Sequence, residues 1–167
     1  SFMRAIARSQ NFGIISRALS IKTADPRGEE FPFFRAFWIE EPTRDDMLVV
    51  HGLLDSESAS GVFIFTLRVS DMTLVDTEGA IFPRVALESF GIAGMQATYL
   101  FGFADRRNIE DYRPQVLEAN GLSIAAGNGE YIWRPLANPR QLQISSFSAD
   151  IPKGFGLVMR DRDFNDY

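Results

Sequence analysis

Apolar and polar residues alternate along most of this chain, and the alternation has a period of two. Between 14 and 23 the apolar positions Ile15, Leu19 and Ile21 share one parity, and 31–39 is aromatic on both parities. The runs 47–54 and 62–69 follow, separated by the polar connection 55–61, and this spacing predicts a hairpin. Further short runs at 72–75, 80–82, 98–103, 122–126, 131–134, 142–147 and 156–160 extend the series. Roughly ten strands at intervals of about 8 to 15 residues, with turn residues between them, predict an all-β sandwich or curved double sheet. No stretch sustains a period of 3.6, so only short helices are expected. One lies at the start, where Phe2, Met3 and Ile6 would share a helical face, and one around 85–90.

Composition supports the strand reading. Fifteen Phe stand beside two Trp and four Tyr, an aromatic content that suits strands. At 167 residues the chain is long enough for one domain with a core and short for two, so residues 1–167 are read as a single domain. A net charge of −5 with no basic stripe excludes binding to phosphate backbones, and no nucleic-acid partner is expected. No run of about 18 apolar residues occurs, which excludes a helical membrane span. The absence of cysteine removes disulfides and thiolate chemistry and fits either cytoplasm or periplasm. His51 is the only histidine and stands in an apolar run; a metal site would need partners for it, so no metal or cofactor is expected. The first residues read as the inside of an element, and 161–167 is a polar run after a strand, in which Asp161, Arg162 and Asp163 suggest a structural ion network. We read the chain as a piece of a larger protein, without signal peptide, tag or internal repeat.

Two segments carry candidate chemistry. Residues 127–139 place Asn128, Glu130, Tyr131, Trp133 and Arg134 between glycine and proline punctuation. Aromatic faces stack on the C–H faces of sugar rings, and carboxylate, guanidinium and amide groups give the hydroxyls fixed partners. A half-buried sheet edge carries the same pattern, with Tyr131 and Trp133 on one face and Glu130, Ile132 and Arg134 on the other. The second segment, 104–121, is long and without periodicity, which suits either a functional loop or a solvated one. Trp38, Tyr131 and Trp133 are divided between core and sugar platform, while Arg113 and Arg134 suit a groove, since arginines beside aromatics serve carboxylates or oriented hydroxyls.

The order of residue blocks is specific. Ala24-Asp25-Pro26-Arg27-Gly28-Glu29-Glu30-Phe31-Pro32, Phe34-Arg35-Ala36-Phe37-Trp38-Ile39-Glu40 and Leu53-Leu54-Asp55-Ser56 are followed by Asp111-Tyr112-Arg113-Pro114, Gly127-Asn128-Gly129-Glu130, Trp133-Arg134-Pro135-Leu136 and Pro152-Lys153-Gly154-Phe155-Gly156-Leu157. Together they resemble the periplasmic glucan biosynthesis proteins G and D over nearly the whole chain. The resemblance implies a periplasmic protein and the later part of a large N-terminal β-sandwich of the galactose-mutarotase-like type. The family's signal peptide and C-terminal immunoglobulin-like domain are accordingly expected to lie outside the residues 1–167. It also implies β-1,2-linked glucan as partner, bound or hydrolysed, because members include β-1,2-glucan endohydrolases.

Hydrolysis of that bond needs a proton donor and a base on opposite faces of the sugar. In the family, the segment after the Tyr-Arg-Pro block reads His-Asp-Ser-Asp or His-Asp-Ser-Asn, and its first aspartate is carried over as the acid. Here the segment is Leu117-Glu118-Ala119-Asn120, so Glu118 stands at the donor position, one methylene longer and without the neighbouring imidazole and hydroxyl. Glu118 is either a replacement acid or a relic, and the substitution tilts the reading toward a non-catalytic binding or assembly protein. Asn120 is added as a sugar contact. Glu30 is the expected base, with Asp25 and Asp55 in reserve; the alternative for the Glu29–Glu30 pair is a turn cap or an ion pair with Arg27 or Arg35. A sugar epimerase on the same fold is the weakest alternative, since His51 stands alone. Unpaired sheet edges suggest a homo-oligomer.

Overall fold

The computed structural model describes residues 2–6, 8, 13–106, 109–148, 151–160 and 163. Among these residues there are twelve strands and no helix: β1 (Met3–Arg4), β2 (Ile15–Ile21), β3 (Phe33–Ile39), β4 (Met47–Asp55), β5 (Ala59–Val69), β6 (Thr73–Pro83), β7 (Phe90–Gln96), β8 (Tyr99–Phe101), β9 (Val116–Leu117), β10 (Gly121–Ala125), β11 (Tyr131–Pro135) and β12 (Gly154–Val158). The described residues within Ser1–Asn11 and Ile15–Gly94 form one compact unit, and those within Phe12–Ile14 and Met95–Tyr167 a second. The protein is all-β, built from antiparallel sheets, as the alternation predicts.

In the first unit a three-stranded sheet, β1-β2-β7, and a four-stranded sheet, β3-β4-β5-β6, share a core. The alternation on β5 sets it. Ala59, Gly61, Phe63 and Phe65 are buried, whereas Val62 and Ile64 point the other way and are exposed. Leu54 of β4 and Leu19 and Ile21 of β2 complete the buried cluster, and Phe34 of β3 wedges in with its ring centroid 5.6 Å from both Phe63 and Phe65. Burying a side chain of this size contributes about 1.5 to 3 kcal/mol, so these few residues dominate the unit's stability. A β-bulge between Phe34 and Ala36 takes Arg35 out of the alternation, and its guanidinium reaches Asp55 at 2.8 Å.

In the second unit β10 is the central strand of the order β11-β10-β12, and β8 and β9 form a separate two-stranded ribbon. Phe101, Leu117, Ala119 and Ala126 are buried there.

Several expected elements differ. The first residues are not helical, because Met3 and Arg4 pair with Ser16 and Ile15 and so satisfy their backbone in a sheet. Residues 85–89 form bends rather than a helical turn, and Phe90 then opens β7, whose two glycines hide it from pattern reading but whose partner β2 holds it in a sheet. The runs 72–75 and 80–82 are one strand, since β6 pairs with β5 along its whole length and its outer face tolerates Asp76 and Glu78 at an edge. Residues 142–147 alternate yet form no strand; Leu142 and Ile144 are exposed, and alternation without a partner edge does not make a ladder. Of the polar run at the end only Asp163 is described, so the ion network expected with Asp161 and Arg162 lies outside the described residues. No helix of the described residues is long and apolar enough to cross a membrane.

Gly79 of β6 shows how tight the first core is. A Cβ placed there would lie 2.6 Å from the Phe63 ring, which is stacked on Phe65 and cannot turn away. Gly79→Ala is therefore expected to destabilise the fold by about 1 to 3 kcal/mol, read as a lowered denaturant midpoint at unchanged slope.

Candidate functional site

The aromatic segment is a strand with an exposed face. Strand β10 pairs with β11 and β12 at once, so that Ala125 lies between Tyr131 and Gly154, and Ser123 between Trp133 and Gly156. Alternation then puts Tyr131, Trp133, Ala125, Ser123, Gly154 and Gly156 on one face of the sheet. Tyr131 is 79% exposed and Trp133 42%. Side chains built at Gly154 and Gly156 would meet nothing within 4 Å, so the floor beside the aromatics is open. Gly121 is required for another reason: a Cβ there would lie 2.7 Å from the Trp133 ring, which leans over it. The result is a shelf with two aromatic side chains standing over small residues.

The polar members of the segment take other places. Glu130, Ile132 and Arg134 alternate away from the shelf. Asn128 and Glu130 belong to a groove of about 710 Å³ whose apolar lining includes Leu122, Ile124, Ile132 and Phe155. Asn128 works locally, its Oδ1 accepting the Glu130 N–H at 3.0 Å, in a turn closed by Gly129 at φ +91° and by Ala126 N–H to Glu130 O at 2.9 Å. The Arg134 guanidinium lies 5.6 Å from the centroid of the Phe147 ring.

Glu118 and Asn120 sit just before β10 and are tied to its surroundings. The Glu118 N–H donates to Thr98 O at 2.8 Å, and its Oε2 accepts the Thr98 N–H at 2.7 Å, so residue and side chain together hold the backbone of Thr98. Asn120 links three strand ends: its N–H donates to Val158 O at 2.8 Å, its O accepts from Leu136 N at 2.9 Å, and its Oδ1 accepts the Arg160 N–H at 2.7 Å. Arg113 is clamped by Asp111, with Nε to Oδ1 at 3.0 Å, Nη2 to Oδ2 at 2.7 Å and the backbone N–H to Oδ1 at 2.9 Å. Those donors, the side-chain ones first, hold the Asp111 carboxyl down at about 2.

The remaining candidates belong to the first unit. Glu30 accepts at both oxygens from Ser58, from its N–H at 2.8 Å and its hydroxyl at 2.6 Å. Partial burial pushes its carboxyl up, and the bonds from Ser56 and Ser58 outweigh that and leave it below the usual carboxylate range. The ion pairs weighed for this region take other routes: Arg27 binds Asp25, Arg17 binds Glu29 at 2.8 Å, and Arg35 binds Asp55. Asp55 stands between Arg84 at 2.7 Å and Arg35, and these two hold its carboxyl below the ordinary value. Trp38 is 56% exposed and pairs across to His51, whose Nε2 is 2.6 Å from Glu40 Oε1. Among the described residues no three His, Cys, Asp or Glu side chains gather as a metal-binding group.

Period-two reasoning finds the aromatic pair but not the floor, because glycines at 154 and 156 read only as weak strand formers. It also gives no sign that Ser58 holds Glu30 or that Thr98 binds Glu118, since both contacts join segments 20 or more residues apart.

These sheets and this aromatic shelf define an antiparallel all-β protein with its candidate site on a sheet face. By sequence the chain belongs to the family described as periplasmic glucan biosynthesis protein, MdoG, which matches residues 1–167. It is 48% identical over 168 residues to Glucans biosynthesis protein G of Shewanella baltica strain OS155, and 47% identical to the protein of that name in Shewanella sp. strain ANA-3. Identity is also 47% to Glucans biosynthesis protein G 1 of Shewanella oneidensis. Each match covers 100% of this chain and 31% of the relative, so the chain spans about a third of the length of these proteins.

The Asp111–Arg113 clamp has a defined acid limit. Its carboxyl is lowered from 3.8 to about 2, so the native pairing contributes in full above the unfolded value and is lost as pH falls through about 2. A carboxyl titration followed by NMR is expected to give Asp111 a midpoint of about 2, returning toward 3.8 in Arg113→Ala.

Proposed function

We propose that this chain binds β-1,2-linked glucan in the periplasm, along the Tyr131–Trp133 shelf, as a binding or assembly component of osmoregulated periplasmic glucan synthesis. The observation that carries this reading is the pair of exposed aromatic side chains over a floor of Ser123, Ala125, Gly154 and Gly156. A pyranose ring laid on that floor would place its C–H face against an aromatic ring while its hydroxyls, at the ring periphery, stay at the solvent side. The family's name, and the names of its relatives, supply glucan as the polymer. The β-1,2 linkage comes from the family resemblance drawn above.

Cleavage is the less favoured function. A proton donor must aim an O–H at the glycosidic oxygen, and in this chain one oxygen of Glu118, Oε2, is taken up by the Thr98 N–H. Glu30, proposed as base, has both oxygens engaged by Ser58. Arg113, held in place by Asp111, is a contact for glucan hydroxyls.

Calorimetric titration with linear β-1,2-glucan tests the reading. The parent chain is expected to bind, and Trp133→Ala to weaken binding about tenfold or more, the scale of losing one buried aromatic contact. No new reducing ends should form over long incubation, and Glu118→Gln should bind as the parent does. Shortened glucan from the parent that disappears in Glu118→Gln would replace the binding reading with hydrolysis.

A further inference from the structure

We propose that Tyr112 is a further glucan contact, presented by a turn whose carbonyls Arg106 clamps; this rests on the glucan-binding reading above. Asp105 closes a turn after β8 with Gly102, and Asp111 to Pro114 lead into β9. Asp105 Oδ2 accepts the Asn138 N–H at 3.1 Å and Asn138 Nδ2 donates to Leu100 O at 2.6 Å. Asp105 is thus tied to the residues that follow β11.

Arg106, itself exposed, gathers the carbonyls of the turn Asp111 to Pro114. Its Nη1 donates to Arg113 O at 2.6 Å and Pro114 O at 2.7 Å, and its Nη2 donates to Asp111 O. The guanidinium carbon lies 5.0 Å from the centroid of Phe101, which is buried, so the cation is seated on the core as well as bonded to the loop. Three carbonyls of one turn thus converge on a single planar fork, an arrangement that lysine could not reproduce. On the outside of the same turn, Asp111 clamps Arg113 through side chain and backbone together.

Tyr112 lies between these two clamps and is 95% exposed. Its ring contributes little to the core at that exposure, yet the residues on both sides of it are fixed through their carbonyls and Asp111's carboxylate. The Arg113 guanidinium carbon stands 5.9 Å from its centroid. Ordering a side chain and its loop on binding costs about 0.5 to 1.5 kcal/mol per immobilised group, and a turn already held in place avoids part of that cost. An aromatic ring beside a positioned guanidinium suits a sugar: the ring meets the C–H face and the arginine meets a hydroxyl. Arg106 touches no glucan in this arrangement. It is a positioning residue for Tyr112 and Arg113.

The experiment is a double-mutant cycle of linear β-1,2-glucan affinity on the whole chain, with thermal unfolding measured on each variant. Tyr112→Ala is expected to weaken binding about tenfold with an unchanged melting temperature, and Tyr112→Phe to bind as the parent, because the ring and not the hydroxyl makes the contact. Arg106→Ala is expected to weaken binding at least as much and to lower the melting temperature, and the double variant to bind no more weakly than Arg106→Ala alone. Parent-like binding by Tyr112→Ala overturns the proposal, and so do additive losses in the cycle. Should Arg106→Ala fail to fold, the two Tyr112 variants, which leave every hydrogen bond of the clamp in place, decide on Tyr112. Trp133→Ala separates the two readings: binding lost there but kept in Tyr112→Ala removes this inference alone, whereas a parent that binds no glucan removes both.

Discussion

Register on a strand paired along both edges is the constraint on which each unit depends. β5 is held between β4 and β6, and β10 between β11 and β12, so neither can slip without breaking two ladders. A slip of one residue would turn every side chain to the opposite face. On β5 it would expose Phe63 and Phe65 and bury Val62 and Ile64. On β10 it would replace the small residues Gly121, Ser123 and Ala125 on the shelf by Leu122 and Ile124, filling the space beside Trp133. Core and candidate site are thus fixed by one device, the double-edged antiparallel strand.

Much of this was legible in the amino-acid order, and the reasons are local. β2 carries its own face assignment, because Ile15, Leu19 and Ile21 share one parity and Leu19 and Ile21 are buried, whereas β5 is apolar on both parities from Val62 to Phe65 and only its pairing in the sheet decides which face is covered. β7 was not legible, since Gly91 and Gly94 weaken its intrinsic preference and only its pairing with β2 makes it a strand. The run at 142–147 shows the converse, a pattern without a partner. At the candidate site, the aromatic pair could be read from period two, while the fates of the acids could not. Glu30 and Glu118 are acceptors for N–H groups 28 and 20 residues distant, and no spacing rule reaches that far.

Carboxylates elsewhere show why an acid in a loop is a weak functional signal by itself. Asp25 and Arg27 form the same clamp as Asp111 and Arg113: the arginine two residues on donates from its backbone N–H, its Nε and its Nη2 to one carboxylate. In both cases those donors hold the aspartate at about 2. Arg44 and Asp46 make the reverse pairing. Such a pair stiffens a turn wherever it occurs, and exposed pairs of this kind contribute little to global stability. What distinguishes the Asp111 turn is the second cation, Arg106, which binds three carbonyls of the same turn, lies against Phe101 and leaves the Tyr112 ring exposed.

The balance between binding and cleavage follows from what each demands of geometry. Stacking tolerates small displacements, because an aromatic face attracts a sugar's C–H face over a range of offsets, so a sheet that merely keeps its register keeps a usable shelf. Proton transfer does not. An acid misplaced by about 1 Å can lose about 10²-fold in rate, and a glutamate in the place of an aspartate adds roughly that much reach. The added methylene here ends in a hydrogen bond to the Thr98 N–H, and Leu117 and Ala119, the residues on either side, offer no side-chain donor to draw the carboxyl elsewhere. The shelf depends on β10, β11 and β12 and on none of the atoms of Glu118, so a change at that position leaves its geometry as it is.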